Sequence, residues 1–193
     1  MIAGVSEDDG AGDRVIERCA TWPVLPDPRF LPFLHHWAAR RRGLMMPKQD
    51  IDAIALKSCL PNVWLHRYQP ETDDFVCLLA GEQVNAAWGG SIANRPLSQV
   101  IRSEQYALTR HRYRQIMQLP AIQIVHRIIQ PSTAVAKVSD RVIVPVSDSD
   151  GNPAGVFGMT LYHFDPLAGM DLPVDSGGEA TMYLCAGLPA GAP

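Results

Sequence analysis

The chain has 193 residues, of which 47% are hydrophobic and 19% are charged, and its formal net charge is −3. This composition excludes an intrinsically disordered chain, and the charge gives no general attraction to nucleic acid or to acidic membranes. No apolar run reaches the roughly 18 residues that cross a bilayer, and no two of the four cysteines form a CxxC pair. We expect a one-domain cytoplasmic protein with no membrane partner, no disulfide framework and nucleic acid only as a disfavoured partner.

The N-terminal part of the chain predicts a mobile lead-in followed by a helix. Residues 1–27 are acidic, contain glycine and end in a proline-rich stretch, which is typical of a terminus without regular structure. Asp27 can cap a helix over 28–43, with Pro28 at its first position. The apolar stripe of this helix consists of Phe30, Phe33, Leu34 and Trp37. The stripe could fold back on the protein's own sheet or form a homodimer, and we favour the homodimer.

The middle of the chain predicts a hairpin between helices. A short helix is expected over 50–60, and antiparallel strands over 62–69 and 75–80 are joined by a polar loop. Glycine and proline break residues 81–105 into short helices or turns. A longer helix follows over 103–119, with Ser103 as its cap. The residues expected to face inward from the helix over 50–60 are Ile51, Ile54, Ala55 and Leu60.

Three apolar strands follow between Ala121 and Phe164, and the last two form a hairpin around the sequence SDSDGN. Pro145 lies within one of these strands, which predicts an edge position or a bulge. Residues 166–193 are rich in glycine, alanine and proline, and we expect this tail to be poorly ordered.

This order of elements is that of a PAS domain, and the chain also resembles a family of short, stand-alone, mostly alphaproteobacterial PAS-like proteins. The matching residues are Trp37 with Arg41 and Gly43, MPKQDID at 46–52, LPNVWL at 60–65, DFVCLLAG at 74–81, RPL at 95–97, RVIVPVSDSDG at 141–151 and GVFG at 155–158. One departure is Glu82, where the family more usually has a small hydroxyl residue.

The resemblance implies an α+β domain over 28–165. Its sheet would have five antiparallel strands, with helices over one face and the N-terminal helix as a flank. It also implies a sensory or regulatory role through protein contact, with ligands mostly unassigned and no catalytic residues to carry over.

A ligand pocket in such a domain would lie between the inner face of the sheet and the middle helices. The candidate pocket residues are Trp64, Cys77, Leu79, Trp88, Tyr106, Tyr113, His126 and Met159. Gly89 and Gly90 after Trp88 would let the backbone bend over a ligand. The alternative is that these side chains fill the core of a protein-interaction adaptor.

The helix over 103–119 carries the sequence RHRYR at 110–114, which allows two further hypotheses. His111 could be the axial ligand of a haem sensor, although a positively charged, solvated helix face explains it more simply. Basic residues around Tyr113 could contact nucleic acid, but the acidic chain argues against this. No cofactor is assigned.

The sequence lacks the motifs of flavin photochemistry, hydrolysis and phosphate binding. The stretch VNAAWGGSIANRPL has no cysteine for flavin photochemistry, and there is no GxSxG, HExxH or phosphate-binding loop. His35 and His36 are neighbours on a helix, so they point about a hundred degrees apart and are expected to be solvated or at an interface. We predict a non-catalytic module without a metal site.

Overall fold

The computed structural model describes residues 5–7, 13–130, 136–165, 179–189 and 193. Over these residues, a single sheet separates a helix on its outer face from three helices on its inner face. The strands are β1 (Val5–Glu7), β2 (Arg14–Ile16), β3 (Met46–Pro47), β4 (Val63–Gln69), β5 (Asp74–Ala80), β6 (Ala121–Gln130), β7 (Ala136–Ser147), β8 (Pro153–Asp165) and β9 (Glu179–Leu184). The α-helices are α1 (Leu31–Arg40), α2 (Glu82–Ala87), α3 (Leu97–Val100) and α4 (Ser103–Gln118).

Five strands form the predicted antiparallel sheet, in the order β5-β4-β8-β7-β6. Alternating apolar residues give this sheet two buried faces, as expected for strands that are covered on both sides. The sheet is larger than predicted because β9 pairs with β6, β2 pairs in parallel with β9, and β1 pairs with β2. The α+β fold class is confirmed, with a mixed sheet in place of a purely antiparallel one.

Where the structure describes the two terminal segments, it shows strands that the expected mobile lead-in and poorly ordered tail did not include; the rest of residues 1–27 and 166–193 lies outside the described residues. Residues 179–184 form β9, which covers the edge of β6, and residues 14–16 form β2 beside it. The backbone N–H of Cys19 donates to the carbonyl of Gly187 at 3.1 Å. An uncovered β6 edge would leave a row of backbone groups unpaired, so a strand from the tail stabilises the sheet even though its flanks are rich in glycine and proline.

The outer face of the sheet is covered by α1, so the hydrophobic stripe folds back on the protein's own sheet. Phe30, Phe33, Leu34 and Trp37 are all 0% exposed. The rings of Phe33 and Phe157 lie 4.9 Å apart. This packing removes the surface on which the homodimer expectation was based.

Helix α1 is shorter than the predicted 28–43, and a 3₁₀ turn over Pro28–Phe30 precedes it. Asp27 caps this turn as predicted, since its Oδ1 accepts a hydrogen bond from the backbone N–H of Arg29 at 2.8 Å. The helix ends at Arg40, and Arg41 is already extended.

Pro145 lies in the interior strand β7, where the prediction placed it at an edge or a bulge. The pairing of β7 with β6 stops at Ile143, and its pairing with β3 starts at Val146. Pro145 falls between these two neighbours, so its missing N–H costs no ladder hydrogen bond. Its carbonyl accepts a hydrogen bond from the indole N–H of Trp37 at 3.0 Å, which fixes α1 on the sheet.

In place of the predicted helix over 50–60, residues 53–59 form turns between a 3₁₀ turn over Lys48–Asp50 and another over Leu60–Asn62. Asp52 starts these turns, because its Oδ1 accepts from the backbone N–H groups of Ile54 and Ala55 and its carbonyl accepts from the N–H of Leu56. Ile54 is consequently 85% exposed, while Leu56 is fully buried in its place.

Helix α4 starts at Ser103 itself, so Ser103 is its first residue and does not cap it; its hydroxyl bonds the Glu104 carboxylate. No helix in the described part of the chain has the length and hydrophobicity of a transmembrane span.

Candidate functional site

A pocket lies on the inner face of the sheet, between α4 and strands β6, β7 and β8. It has two lobes with cavity volumes of about 50 and 20 Å³, which share Trp88, Ile101, Tyr113 and Arg141 in their walls. We call both lobes together the central pocket. A volume of this size holds a few water molecules, so the pocket is narrow.

Strand register brings the polar wall of the central pocket together. Arg141 on β7 pairs with Val125 on β6 and with Thr160 on β8, so the three side chains lie side by side. Trp64 on β4 pairs with Gly158 on β8. A Cβ at Gly158 would lie 2.2 Å from the Trp64 ring, so glycine lets the indole lie flat on β8. The Trp64 indole N–H then donates to the Thr160 hydroxyl at 2.9 Å.

An aromatic cluster forms the apolar wall. The rings of Trp64 and Tyr113 stack with centroids 5.5 Å apart and planes 21° apart, and Phe75 meets Tyr113 edge-on at 5.3 Å. Burial raises the pKa of Tyr113 to about 12, so its hydroxyl stays protonated. The wall is therefore rigid, flat and uncharged.

His66 lies within this cluster, with its ring 4.9 Å from Trp64 and 5.7 Å from Tyr113. Burial, with a further contribution from the positive charge of Arg141, lowers the pKa of His66 to about 3. Neither ring nitrogen has a hydrogen-bond partner, although the side chain is almost fully buried. His66 is thus a neutral imidazole with unused hydrogen-bonding capacity on the wall of the smaller lobe.

Gln123 on β6 also has unused hydrogen-bonding capacity, on the wall of the larger lobe. It is 0% exposed, and both its amide nitrogen and its amide oxygen are buried without a partner. Buried polar atoms are nearly always hydrogen-bonded in native proteins, so each exception calls for an explanation. The position of Gln123 on the pocket wall supplies one, because a bound molecule or trapped water can reach it.

Two arginines line the larger lobe: Arg112 forms an ion pair with a carboxylate, and Arg141 does not within the described residues. Arg112 on α4 is buried and binds Asp13 through two hydrogen bonds, of 2.8 Å from Nε and 2.5 Å from the terminal nitrogen. Arg141 donates from Nε to Thr160 at 3.2 Å, and its guanidinium lies 5.7 Å from the centre of the Trp64 ring. No ion pair joins Arg141 to a carboxylate among the residues that the structure describes.

Of the eight pocket residues proposed from the sequence, Trp64, Trp88 and Tyr113 lie on the pocket wall. Cys77 is buried behind them, where its thiol bonds the carbonyl of Leu79 and burial raises its pKa to about 11. Tyr106 packs beside the same core, with the guanidinium of Arg110 5.5 Å from its ring centre.

Three of the proposed residues lie elsewhere, contrary to expectation. Leu79 is 40% exposed on β5, which is an edge strand. Met159 packs against α1 on the outer face, because strand alternation gives the inner face to Gly158 and Thr160. His126 is exposed, and its Nδ1 lies 3.7 Å from a carboxylate oxygen of Asp140.

The pocket residues proposed from the sequence do not include the polar side chains of this wall, above all His66, Gln123 and Arg141. Gln123 stands at an inward position of β6 between Ile122 and Ile124, which are both buried, so an assignment of strand faces would have identified it. His66 and Arg141 each have a charged neighbour, Arg67 and Asp140, and the local sequence gives no such signal for them.

The RHRYR segment does not present the surface that either hypothesis needs. His111 is exposed on α4 and is not part of the pocket wall, so it does not face the position of a haem in the pocket. Tyr113 is buried and cannot stack on a base. Arg110 and Arg114 both bond the carboxylate of Asp73.

His36 was expected to be solvated or at an interface, but it is buried against the turn after α1. Its Nε2 accepts a hydrogen bond from the backbone N–H of Asp52 at 3.3 Å, and burial lowers its pKa. His35, on the neighbouring face of the helix, is partly exposed. Within the described ranges, no three His, Cys, Asp or Glu side chains are placed to hold a metal ion.

Comparison with known proteins gives one family. Residues 28–161 match the family model described as "PAS domain". No curated protein matches the sequence.

Solved structures with a similar fold include VqmA bound to DPO, with a TM-score of 0.47 and 16% identity over 57% of this chain and 56% of that one. A Vibrio cholerae VqmA dimer without target DNA gives a TM-score of 0.47 and 17% identity over 58% of this chain and 52% of that one. The PAS domain of Bordetella pertussis BvgS gives a TM-score of 0.34 and 15% identity over 52% of this chain and 74% of that one. The chain spans about half the length of the VqmA chains.

Proposed function

We propose that this chain, which belongs to the PAS domain family, is a non-catalytic sensory module that binds a small molecule in the central pocket. Binding would change a contact with a protein partner, as the resemblance to short, stand-alone PAS-like proteins implies. PAS domains are generally sensory, and such a domain needs a site that differs between the empty and occupied states.

The observation that carries the proposal is the set of buried polar groups on the pocket wall. Gln123 and His66 together present four buried side-chain atoms without hydrogen-bond partners. Leaving a buried donor or acceptor unpaired costs about 1–3 kcal/mol each. A sequence that keeps such groups in one pocket is under pressure from something other than stability, and ligand binding is the simplest such pressure.

The pocket is better suited to binding than to catalysis. Its imidazole, His66, has a pKa of about 3, whereas general acid–base catalysis near pH 7 needs a pKa near 7. The aromatic wall and the partly apolar lining are typical of ligand sites.

The alternative function is a protein-interaction adaptor whose pocket is a by-product of packing. The small volumes of the two lobes favour it, because the larger lobe measures only about 50 Å³. A ligand would have to shift Trp88, which follows α2 and precedes two glycines with φ of 73° and 156°.

Native mass spectrometry of the purified protein, compared with its denatured mass, tests the proposal. We expect an added mass that denaturation releases, or a mass gained after incubation with a fragment library. Thr109→Leu, which adds volume at the pocket wall on α4, should abolish the added mass. Ala107→Leu is the matched control, because Ala107 is exposed on the same helix and should retain it.

A bare polypeptide mass before and after incubation with the library would support the adaptor. The same spectra report the oligomeric state, so they also test the homodimer, which stays a prediction now that α1 is buried. Three further statements also stay predictions: that the protein has a protein signalling partner, that it is cytoplasmic, and that nucleic acid is a disfavoured partner.

A further inference from the structure

Given the proposed function, we propose that the central pocket selects a compact planar anion, and specifically an aromatic or heteroaromatic carboxylate held by Arg141 and Gln123. The inference rests on charge balance, on hydrogen-bonding capacity and on the shape of the walls.

Charge balance distinguishes Arg141 from the other arginine of the pocket. The charge of Arg112 is matched by Asp13, whose side chain is almost completely buried beside it. Arg141 forms no ion pair among the described residues: the Thr160 hydroxyl accepts from its Nε, and the Trp64 ring lies under its guanidinium. The pocket wall therefore carries one positive charge without a counter-ion, and a partly buried charge of this kind favours an anionic ligand.

The hydrogen-bonding capacity of Arg141 suits a carboxylate. Its Nε is used by Thr160, so the two terminal nitrogens remain to donate in one plane. Two parallel N–H groups of a guanidinium match the two oxygens of a carboxylate. A tetrahedral phosphate can also accept two such hydrogen bonds, so the preference for a planar anion depends on the flat walls of the pocket.

Gln123 supplies the second anchor. Val125 pairs with Arg141, and Gln123 is two residues from Val125 on the same face, so Gln123 and Arg141 are diagonal neighbours on adjacent strands. Its free amide N–H groups can donate to the same anion, and its free carbonyl can accept from a ring N–H or hydroxyl of the ligand. This pairing would satisfy atoms that are otherwise buried at a cost.

The walls select a flat molecule. The stacked rings of Trp64 and Tyr113 form one side, and the guanidinium of Arg141 lies over Trp64. Trp88 contributes to both lobes and is only partly buried, so it is the side chain that can move to admit a ring. The small volume restricts the ligand to about one aromatic ring.

Titration of the wild-type protein with benzoate, benzamide and inorganic phosphate tests the inference. Binding is measured by ¹⁵N spectra that include the Arg141 Nε signal. We expect benzoate to bind at least about tenfold more tightly than benzamide, as one charge-assisted bidentate pair predicts. Phosphate should bind more weakly than benzoate. Arg141→Gln should lose this preference for benzoate and keep the affinity for benzamide. Arg114→Gln, the same change outside the pocket, should keep the preference.

The outcomes separate the ligand class from the proposed function. Equal binding of benzamide and benzoate in the pocket, or benzoate binding that Arg141→Gln leaves unchanged, would overturn the anion and leave the ligand pocket standing. Phosphate binding at Arg141 as tight as that of benzoate would overturn the planar class. Failure of all three probes and of every compound in a fragment library would overturn the proposed function itself. The wild-type comparison needs no variant, so a misfolded Arg141→Gln would not weaken the test.

Discussion

The two faces of the sheet are built from the same strands, yet they differ in chemistry. On β7 and β8, the residues that face α1 are Val142, Val144, Phe157 and Met159, and all of them are buried and apolar. The residues that alternate with them and face α4 include Arg141 and Thr160. A strand alternates its side chains between faces, so one short sequence holds both a closed core and a polar pocket.

This difference separates stability from recognition. The outer face buries large apolar side chains, and the indole N–H of Trp37 donates to the carbonyl of Pro145. The polar atoms buried there without a partner, Nε1 of Trp22 and Nδ1 of His36, do not line the central pocket. The inner face keeps Gln123 and His66 unpaired and leaves a cavity. Substitutions on the outer face should therefore change unfolding, and substitutions on the inner face should change ligand binding.

The largest effect is expected for Trp37→Ala on the outer face. The change removes a fully buried side chain and its hydrogen bond to Pro145, so we expect a loss of about 3–5 kcal/mol in the free energy of unfolding. Urea denaturation followed by circular dichroism measures this loss. A cost below about 1 kcal/mol would mean that α1 is only loosely attached to the sheet.

Two variants sharpen this test. Trp37→Phe keeps most of the apolar surface and should cost only about 1–2 kcal/mol, part of it for the lost hydrogen bond. Trp88→Ala removes the same side chain from the pocket wall, where it is only partly buried. It should cost less stability than Trp37→Ala and should impair fragment binding, which Trp37→Phe should leave intact.

The fold was largely predictable because its signals are local. The strands over 63–69, 74–80, 121–130, 136–147 and 153–165 follow from apolar residues in strand patterns and from the turn signals of the sequence. Whether α1 would form a dimer or fold back on its own sheet was not predictable, because a hydrophobic stripe does not show which surface covers it. The strand over 179–184 was hidden by its glycine-rich flanks and forms because the edge of β6 needs a partner.

An intermediate effect is expected from the protonation of His66. Its pKa is about 3 in the folded protein and about 6.5 when unfolded, so between these values the unfolded chain binds more protons. Stability is then lost as the pH falls below about 6.5. From pH 7 to pH 5 the loss attributable to His66 is about 2 kcal/mol, measured as the difference in unfolding free energy between the two pH values.

His66→Gln isolates this contribution, because glutamine does not titrate and should reduce the acid loss by about 2 kcal/mol. His36, whose pKa is also lowered, acts in the same direction and remains in that variant. Carboxyl groups with lowered pKa values, such as Asp27 and Asp148, lose their contribution mainly below pH 5, outside this window. An unchanged acid loss in His66→Gln would mean that water reaches the imidazole in the folded protein.

The site was less predictable than the fold, because it depends on strand parity and on tertiary pairing. Aromatic residues such as Trp64 and Tyr113 stand out in the sequence, and they do line the pocket. Met159 was assigned to the wrong face by one position, which on a strand reverses the side chain. Nothing local indicates that Arg112 is neutralised by Asp13, 99 residues away, while Arg141 is not.

The smallest effect, and the one with the least usual sign, is expected for Gln123→Leu on the inner face. Leucine has a similar size and no polar atoms, so the change removes two buried, unpaired groups and should raise the free energy of unfolding by about 1 kcal/mol. Thr160→Val is the matched control on the same face. The Thr160 hydroxyl accepts from Trp64 and Arg141, so its removal should destabilise the protein by a similar amount.

Stabilisation by Gln123→Leu together with weaker benzoate binding would show that the pocket sacrifices stability for recognition. Destabilisation by Gln123→Leu would mean instead that trapped water already satisfies the amide, and Gln123 would then no longer distinguish the inner face from the outer face.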